Sequence, residues 1–129
     1  MSDESPVRSY KDLEVWRVAM DLAVACYKAT STFPREETYG LTAQIRRSAV
    51  SIAANMAEGY GRETTSSFVH FLRIAQGSLE EVETHLSSVE RVEIRPAAPL
   101  GPLFNLCERV SKMLRNPIRS LEKQSEAER

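Results

Sequence analysis

The chain contains few cysteines and no long apolar run, and each absence excludes a class of protein. Cys26 and Cys107 lie in separate apolar segments, and neither belongs to a CxxC motif or a Cys/His cluster. They are therefore expected to be small buried core residues, with no disulfide and no zinc site. No apolar run approaches the roughly 18 residues that span a bilayer, and residues 1–10 lack the apolar stretch of a secretory signal. We therefore expect a cytoplasmic protein without membrane contact.

The sequence also lacks an excess of charge of one sign. Its 17 Lys and Arg residues against 18 Asp and Glu residues give a net charge of −1. Proteins dedicated to binding nucleic acid are usually clearly basic, so this balance argues mildly against that role.

Motifs for catalysis and for cofactor binding are missing as well. There is no Walker A sequence and no HExxH motif, and neither His70 nor His85 has the glutamate three residues earlier that di-iron bundles require. The GYGRE segment at residues 59–63 follows a predicted helix instead of a strand, which is typical of a helix end and turn. We therefore expect no enzymatic activity, no cofactor and no small-molecule substrate.

What the chain does contain is four segments in which apolar residues recur at three- and four-residue spacing. The stripes are Leu13, Trp16, Met20, Ala23 and Tyr27, widened by Leu22, Ala25 and Ala29; Leu41, Ile45, Ser48, Ile52 and Met56; Phe68, Phe71, Ala75, Leu79, Val82, Leu86 and Val89; and Leu103, Cys107, Val110, Leu114 and Leu121. No segment shows the alternation of a strand, and the connectors between the stripes are short. The sequence therefore predicts an all-α fold, an antiparallel up-down-up-down four-helix bundle.

The bundle is expected to comprise residues 10–121. Residues 1–9 are polar and are expected to be disordered, and residues 122–129 lack an apolar anchor and are expected to form a frayed tail. Ser9 is predicted to cap the first helix together with Asp12, in a variant of the capping box.

Glycine and proline mark predicted irregularities in the later helices. Gly59 and Gly61 are expected to end the second helix, because glycine adopts the left-handed conformation without a steric penalty. Gly77 lies in the middle of the third helix, where it predicts a close crossing with a neighbouring helix. Pro117 falls inside the fourth apolar stripe and is expected to kink the helix or to end it early.

A line of polar residues runs beside the apolar stripe of the second helix. It is formed by Gln44, Arg47, Ser51, Asn55 and Glu58. If the hairpin to the third helix turns near Gly61, Gln44 lies opposite Glu81 and Arg47 lies opposite Ser78. From that position Arg47 can reach Glu81 and form a partly buried ion pair. We call these five residues together with Glu81 the polar seam.

The polar seam has two interpretations. In the first, it sets the register of the helices or lies in an interface between subunits, where its polar groups find partners. In the second, Arg46 and Arg47 form a site for a phosphate or another ligand. Glu81 and Glu83 would repel a phosphate, so the first interpretation is favoured.

A basic face runs along the fourth helix. It is formed by Arg109, Lys112, Arg115, Arg119 and Lys123, which follow one another at three- and four-residue spacing. Such a face is commonly solvated, but it can also contact an acidic surface of a neighbouring subunit, or RNA. If the protein forms a ring, repetition of the face would strengthen its field and its attraction for a polyanion.

Four stretches carry a resemblance to a known family: LEVW at 13–16, GLTAQIRR at 40–47, SIAANMAEG at 51–59 and FLRIAQGSLEEVET at 71–84. Together they resemble the four-helix-bundle proteins encoded in intervening sequences of large-subunit rRNA genes, over roughly residues 10–121. The resemblance implies a four-helix bundle that assembles into a homopentameric ring. Similar proteins accompany diversity-generating retroelements as accessory variability proteins. Those relatives are basic and bind nucleic acid and a reverse transcriptase, whereas this chain is near neutral.

The resulting expectation is a non-catalytic, homo-oligomeric scaffold or interaction protein, with five copies implied by the resemblance. The small and polar faces of the second and third helices are the expected self-association surfaces. The alternative is an accessory protein that associates with RNA or a ribonucleoprotein through the basic face.

Overall fold

Four α-helices account for most of residues 9–128, which are the residues that the structure, a computed structural model, describes. The helices are α1 (Glu14–Thr30), α2 (Leu41–Tyr60), α3 (Thr65–Arg91) and α4 (Gly101–Ala127), with short 3-10 helices at Tyr10–Asp12 and Arg35–Glu37. No strand occurs among the described residues. The predicted all-α, antiparallel four-helix bundle is therefore confirmed.

The helices pack in a closed cycle around one core. α2 packs against α3, α3 against α4, and α1 against both α2 and α4. The largest side chains that are almost fully enclosed are Leu22, Ile45, Ile52, Met56, Leu79, Leu86 and Leu114. Enclosing one such side chain contributes about 1.5–3 kcal/mol, so the core is the main source of stability.

The predicted core stripe of α1 is right only in part. Leu22, Ala23 and Ala29 are buried and Trp16 packs against the core, whereas Met20 and Tyr27 are exposed. The residues that α1 buries are Val18, Ala19, Leu22, Ala23, Cys26, Ala29 and Thr30. Because α1 carries apolar residues around most of its circumference, periodicity alone does not select the face that packs on α2 and α4.

The predicted capping box at the start of the chain forms, but it caps a different element. The hydroxyl of Ser9 accepts a hydrogen bond from the backbone N–H of Lys11, and the carboxylate of Asp12 accepts one from the backbone N–H of Ser9. The element that follows is the short 3-10 helix, and extended Leu13 separates it from α1. The predicted disordered segment lies outside the described residues except for Ser9.

The expected left-handed glycines at the end of α2 are not found. Gly59 is inside the helix, Gly61 has a φ of −79°, and no glycine among residues 9–128 has a positive φ. The left-handed position belongs instead to Glu93 after α3, with a φ of 56°. There the backbone N–H of Ile94 donates to the carbonyl of Val89 at 3.1 Å, which terminates α3.

The close crossing predicted at Gly77 is also misplaced. Gly77 lies on the exposed side of α3, and a Cβ atom added there would meet nothing within 4 Å. The close approach occurs at Gly59, where an added Cβ would lie 2.8 Å from the Cβ of Phe71. The reason is that Gly77 faces away from the bundle, whereas Gly59 faces α3.

α4 continues through Pro117 to Ala127, so the predicted early end is wrong. Pro117 is exposed, and water can replace the hydrogen bond that proline does not donate. The last turn is also bound to α3, because the hydroxyl of Thr65 donates to Glu128 at 3.2 Å. Residues 122–127 are therefore helical where a frayed tail was predicted.

No helix within residues 9–128 combines the length and the apolar character needed to cross a membrane.

Candidate interaction surfaces

Part of the polar seam forms a hydrogen-bonded ladder between α2 and α3. The hydroxyls of Ser51 and Ser78 are 2.8 Å apart, and the hydroxyl of Ser48 donates to Glu81 at 3.3 Å. The amide of Asn55 donates back to the carbonyl and the hydroxyl of Ser51 at 2.8 and 3.0 Å. The contacts of Ser51 with Ser78 and of Ser48 with Glu81 join α2 to α3, whereas Asn55 holds Ser51 from within α2.

The register of this hairpin differs from the predicted one by one helical turn. Ser78 faces Ser51 instead of Arg47, and Glu81 bonds to Ser48 instead of facing Gln44. Within the described part of the chain no ion pair joins Arg47 to Glu81.

The remaining members of the polar seam do not join the ladder. Gln44 and Arg47 are exposed, and Glu58 forms an ion pair with Arg62 at the end of α2. Ser48 enters the ladder although its spacing had placed it in the apolar stripe. Serine at a core position was the only signal in the sequence that this residue bonds across to α3.

Arg46 has a structural role at the end of α1. Its Nε donates to the hydroxyl of Thr30 at 2.8 Å, and Nη2 donates to the carbonyl of Tyr27 at 3.3 Å. The guanidinium also lies 4.7 Å from the centre of the Tyr27 ring. A cation at this place satisfies the carbonyl end of the helix and complements its dipole. These contacts occupy donors that a phosphate site at Arg46 and Arg47 would need.

An apolar strip lies on the outer surface of α1 and α2. We call it the apolar ridge, and it consists of Met20, Val24, Tyr27 and Val50, which are 38%, 48%, 45% and 45% exposed. Other large exposed apolar residues among those described, Tyr39, Ile74 and Val92, lie elsewhere. Single exposed apolar residues are ordinary on protein surfaces, but a group of them indicates an interaction site. This face was missed because two of its members had been assigned to the core.

The basic face on α4 is exposed along its whole length. Arg109 forms an ion pair with Glu14 at 3.8 Å, and Lys112 forms one with Glu108 at 3.0 Å. Both pairs are well exposed and therefore add little stability. Glu122 lies on the same side of α4 and pairs with Arg73 of α3 at 2.8 Å. The face is thus a mixture of charges and not a purely basic stripe.

A shallow groove of about 590 Å³ lies between α3 and α4, close to the segment that connects them. It is lined by Glu83, Thr84, Ser87, Ser88, Glu90, Arg91 and Phe104. Partial burial raises the pKa of Glu83, and the neighbouring carboxylates of Glu80 and Glu108 raise it further. No cluster of three or more His, Cys, Asp or Glu residues suited to a metal ion occurs within residues 9–128.

The two cysteines are free and buried, as the sequence predicted. Burial raises the pKa of Cys26 to about 12. Burial likewise raises the pKa of Cys107 to about 12, with smaller contributions from Glu83 and Cys26. Such thiols stay protonated at neutral pH and are poor nucleophiles.

A comparison with protein families gives one match, which covers most of the chain. The sequence profile described as "23S rRNA-intervening sequence protein" matches residues 11–116. These residues include α1, α2, α3 and the first part of α4, and they include the polar seam. A search of curated proteins finds no match.

Proposed function

Because the chain belongs to the 23S rRNA-intervening sequence protein family, we propose that it is a non-catalytic helical bundle that assembles with copies of itself. The observation that carries this proposal is the outer face of α2 and α3. There Arg47 and Gln44 are exposed beside the Ser51–Ser78 ladder, and Gly77 leaves the adjacent surface of α3 open. The small side chains on this face allow a helix of another copy to approach closely.

Charge also suits this face to a neighbouring copy. Glu81 accepts a hydrogen bond from Ser48 and is otherwise exposed, so its carboxylate can accept more. Arg47 lies beside Ser48 in sequence but on the outward side of α2. The pair that does not form within one chain, Arg47 with Glu81, can therefore form between two chains with bidentate geometry.

In the proposed contact each chain gives Arg47 to one neighbour and Glu81 to another, which makes the contact heterologous, and a heterologous contact forms a ring when its rotation closes. The resemblance to ring-forming bundles gives five copies as the expected number. The activity proposed for the chain is thus that of a scaffold whose assembled surface presents repeated copies of each face.

Light scattering combined with size exclusion tests the assembly. The natural chain should elute as a pentamer or a multiple of it, and Arg47→Ala should break the ring into species of one or two chains without loss of helix content. Arg91→Ala, which replaces an exposed arginine at the far end of α3, serves as the control and should leave the mass unchanged. A strict monomer at micromolar concentration contradicts the proposal.

The second candidate is association with RNA through the basic face. It is favoured by Arg115, Arg119 and Lys123, which are exposed and form no ion pair among the described residues. It is opposed by Glu122 and Glu126 on the same side of the helix. A gel shift with structured RNA at low and moderate salt tests it, because binding through phosphate contacts weakens steeply as salt rises. Absence of any shift at low salt removes this candidate.

A further inference from the structure

The apolar ridge has three exposed members on α1 and one on α2. Met20, Val24 and Tyr27 follow one another at four and three residues on the outer side of α1. Arg46 contacts Tyr27 and Thr30, which sets the register of the antiparallel α1–α2 pair. One turn further along α2, Val50 therefore comes level with Val24. The two valines form the middle of the ridge.

Two charged residues flank the middle of the ridge on α1. Asp21 precedes Val24 by three residues, and Lys28 follows it by four. Both side chains are exposed, and neither forms an ion pair within residues 9–128. Between Asp21 and Lys28 the exposed surface of α1 therefore changes from negative to apolar to positive. Such a sequence of charges is self-complementary when a second copy of the helix runs in the opposite direction.

We propose that the apolar ridge binds the same ridge of a second copy about a twofold axis close to Val24. In this arrangement the two α1 helices are antiparallel and their valines meet at the axis. Asp21 of each copy lies opposite Lys28 of the other, so the interface contains the same ion pair twice. This isologous contact is separate from the polar seam and does not depend on it.

The ring of Tyr27 is held in place by Arg46 before any partner binds. Its ring stacks against the guanidinium of Arg46 at 4.7 Å, and the same guanidinium is tied to the backbone of α1. A ring that is already held in place loses little conformational freedom when a partner covers it. Tyrosine is also a residue that protein interfaces favour, because it buries a large apolar surface while keeping a polar end.

Charge reversal on the full-length chain tests the twofold geometry. Asp21→Lys places two lysines opposite each other at both ends of the contact, and Lys28→Asp places two carboxylates there. Each single variant should weaken ridge association roughly tenfold or more, as measured by sedimentation over a range of concentrations. An equimolar mixture of the two variants should associate again, because each interface then contains opposite charges. The double variant Asp21→Lys/Lys28→Asp should also associate.

The same measurements are made in the natural chain and in an Arg47→Ala background. If the chain does not assemble through the polar seam, the effect of the charge reversals on ridge association can still be measured in both backgrounds. Val24→Asp should abolish the ridge contact, whereas Val92→Asp, a matched change at an exposed valine elsewhere, should not. Circular dichroism checks that every variant is folded. The proposal is overturned if the single charge reversals leave association unchanged or if the mixture does not restore it. It is also overturned if all ridge variants have the same assembled mass as the natural chain.

Discussion

Gly59 of α2 lies directly against Phe71 of α3, with no room for a side chain between them. A Cβ atom on Gly59 would lie 2.8 Å from the Cβ of Phe71 and 3.1 Å from the ring of Phe68. Around this point the guanidinium of Arg62 lies 4.7 Å from the centre of the Phe71 ring. Glycine is therefore needed at position 59 because a side chain would collide with α3, whereas the sequence had suggested that this glycine ends the helix.

Gly59→Ala should destabilise the fold by about 1–3 kcal/mol, because the contact involves the stem of Phe71 and not the movable end of a long side chain. Urea denaturation at fixed protein concentration measures the change. Gly77→Ala is the matched control, since its surroundings within one chain are open, and both changes are compared in the Arg47→Ala background to keep assembly out of the measurement. It should stabilise the protein by about 0.5–1 kcal/mol through helix propensity. Equal effects of the two changes would contradict this account of Gly59.

Arg46→Ala should lower the free energy of unfolding by about 1–2 kcal/mol. It removes a charged donor to Thr30 and Tyr27 and the contact with the Tyr27 ring, and the partial exposure of the site moderates the loss. The neighbouring change Arg47→Ala should alter the stability of one chain by less than about 0.5 kcal/mol, because that side chain is exposed. The comparison is made by urea denaturation at low protein concentration. A larger loss of stability for Arg47→Ala than for Arg46→Ala would contradict the assignment of Arg46 as the arginine that stabilises the single chain.

Pro117→Ala should stabilise the protein. Proline inside a helix removes one backbone hydrogen bond, and its ring collides with the preceding turn. Alanine restores the hydrogen bond and removes the collision, for a gain of about 1–3 kcal/mol. Thermal unfolding measures the gain, with Ser120→Ala on the same exposed side of α4 as the control, for which only a small change is expected. A lower Tm for the proline variant would show that the local helix shape is required by a contact of α4.

Cys26 and Cys107 should not react with a water-soluble disulfide reagent at pH 8 in the folded protein, and both should react once it is unfolded. Burial raises the pKa of each thiol to about 12, whereas an unfolded thiol has a pKa of about 8.5. As the pH rises, the thiols of the unfolded state therefore lose their protons before those of the folded state. The free energy of unfolding should fall as the pH rises from about 8.5 toward about 12. Unfolding at several alkaline pH values checks the slope. The variant Cys26→Ala/Cys107→Ala should have a shallower slope, and an unchanged slope would contradict the assignment.

The sequence by itself determined the fold class, the existence of all four helices and the core faces of the later ones. In α3, for example, Ala75, Leu79, Val82, Leu86 and Val89 are buried as their spacing predicted. These features follow from local chemistry, because apolar residues at helical spacing must be enclosed and polar residues between them need not be. The buried cysteines and the cap at Ser9 follow from the same local rules.

Only the tertiary structure decided which face of α1 packs, how α2 and α3 are aligned, and which arginine is used internally. α1 is apolar on more than one side, so its neighbours select the buried face and leave Val24 on the ridge. The hairpin aligns Ser51 with Ser78, a shift of one helical turn from the predicted register that spacing within one helix cannot reveal. Arg46 and Arg47 are adjacent and identical in sequence, and they differ only because the end of α1 lies beside one of them. Contacts between distant segments make these choices, and a periodic pattern within one helix does not contain them.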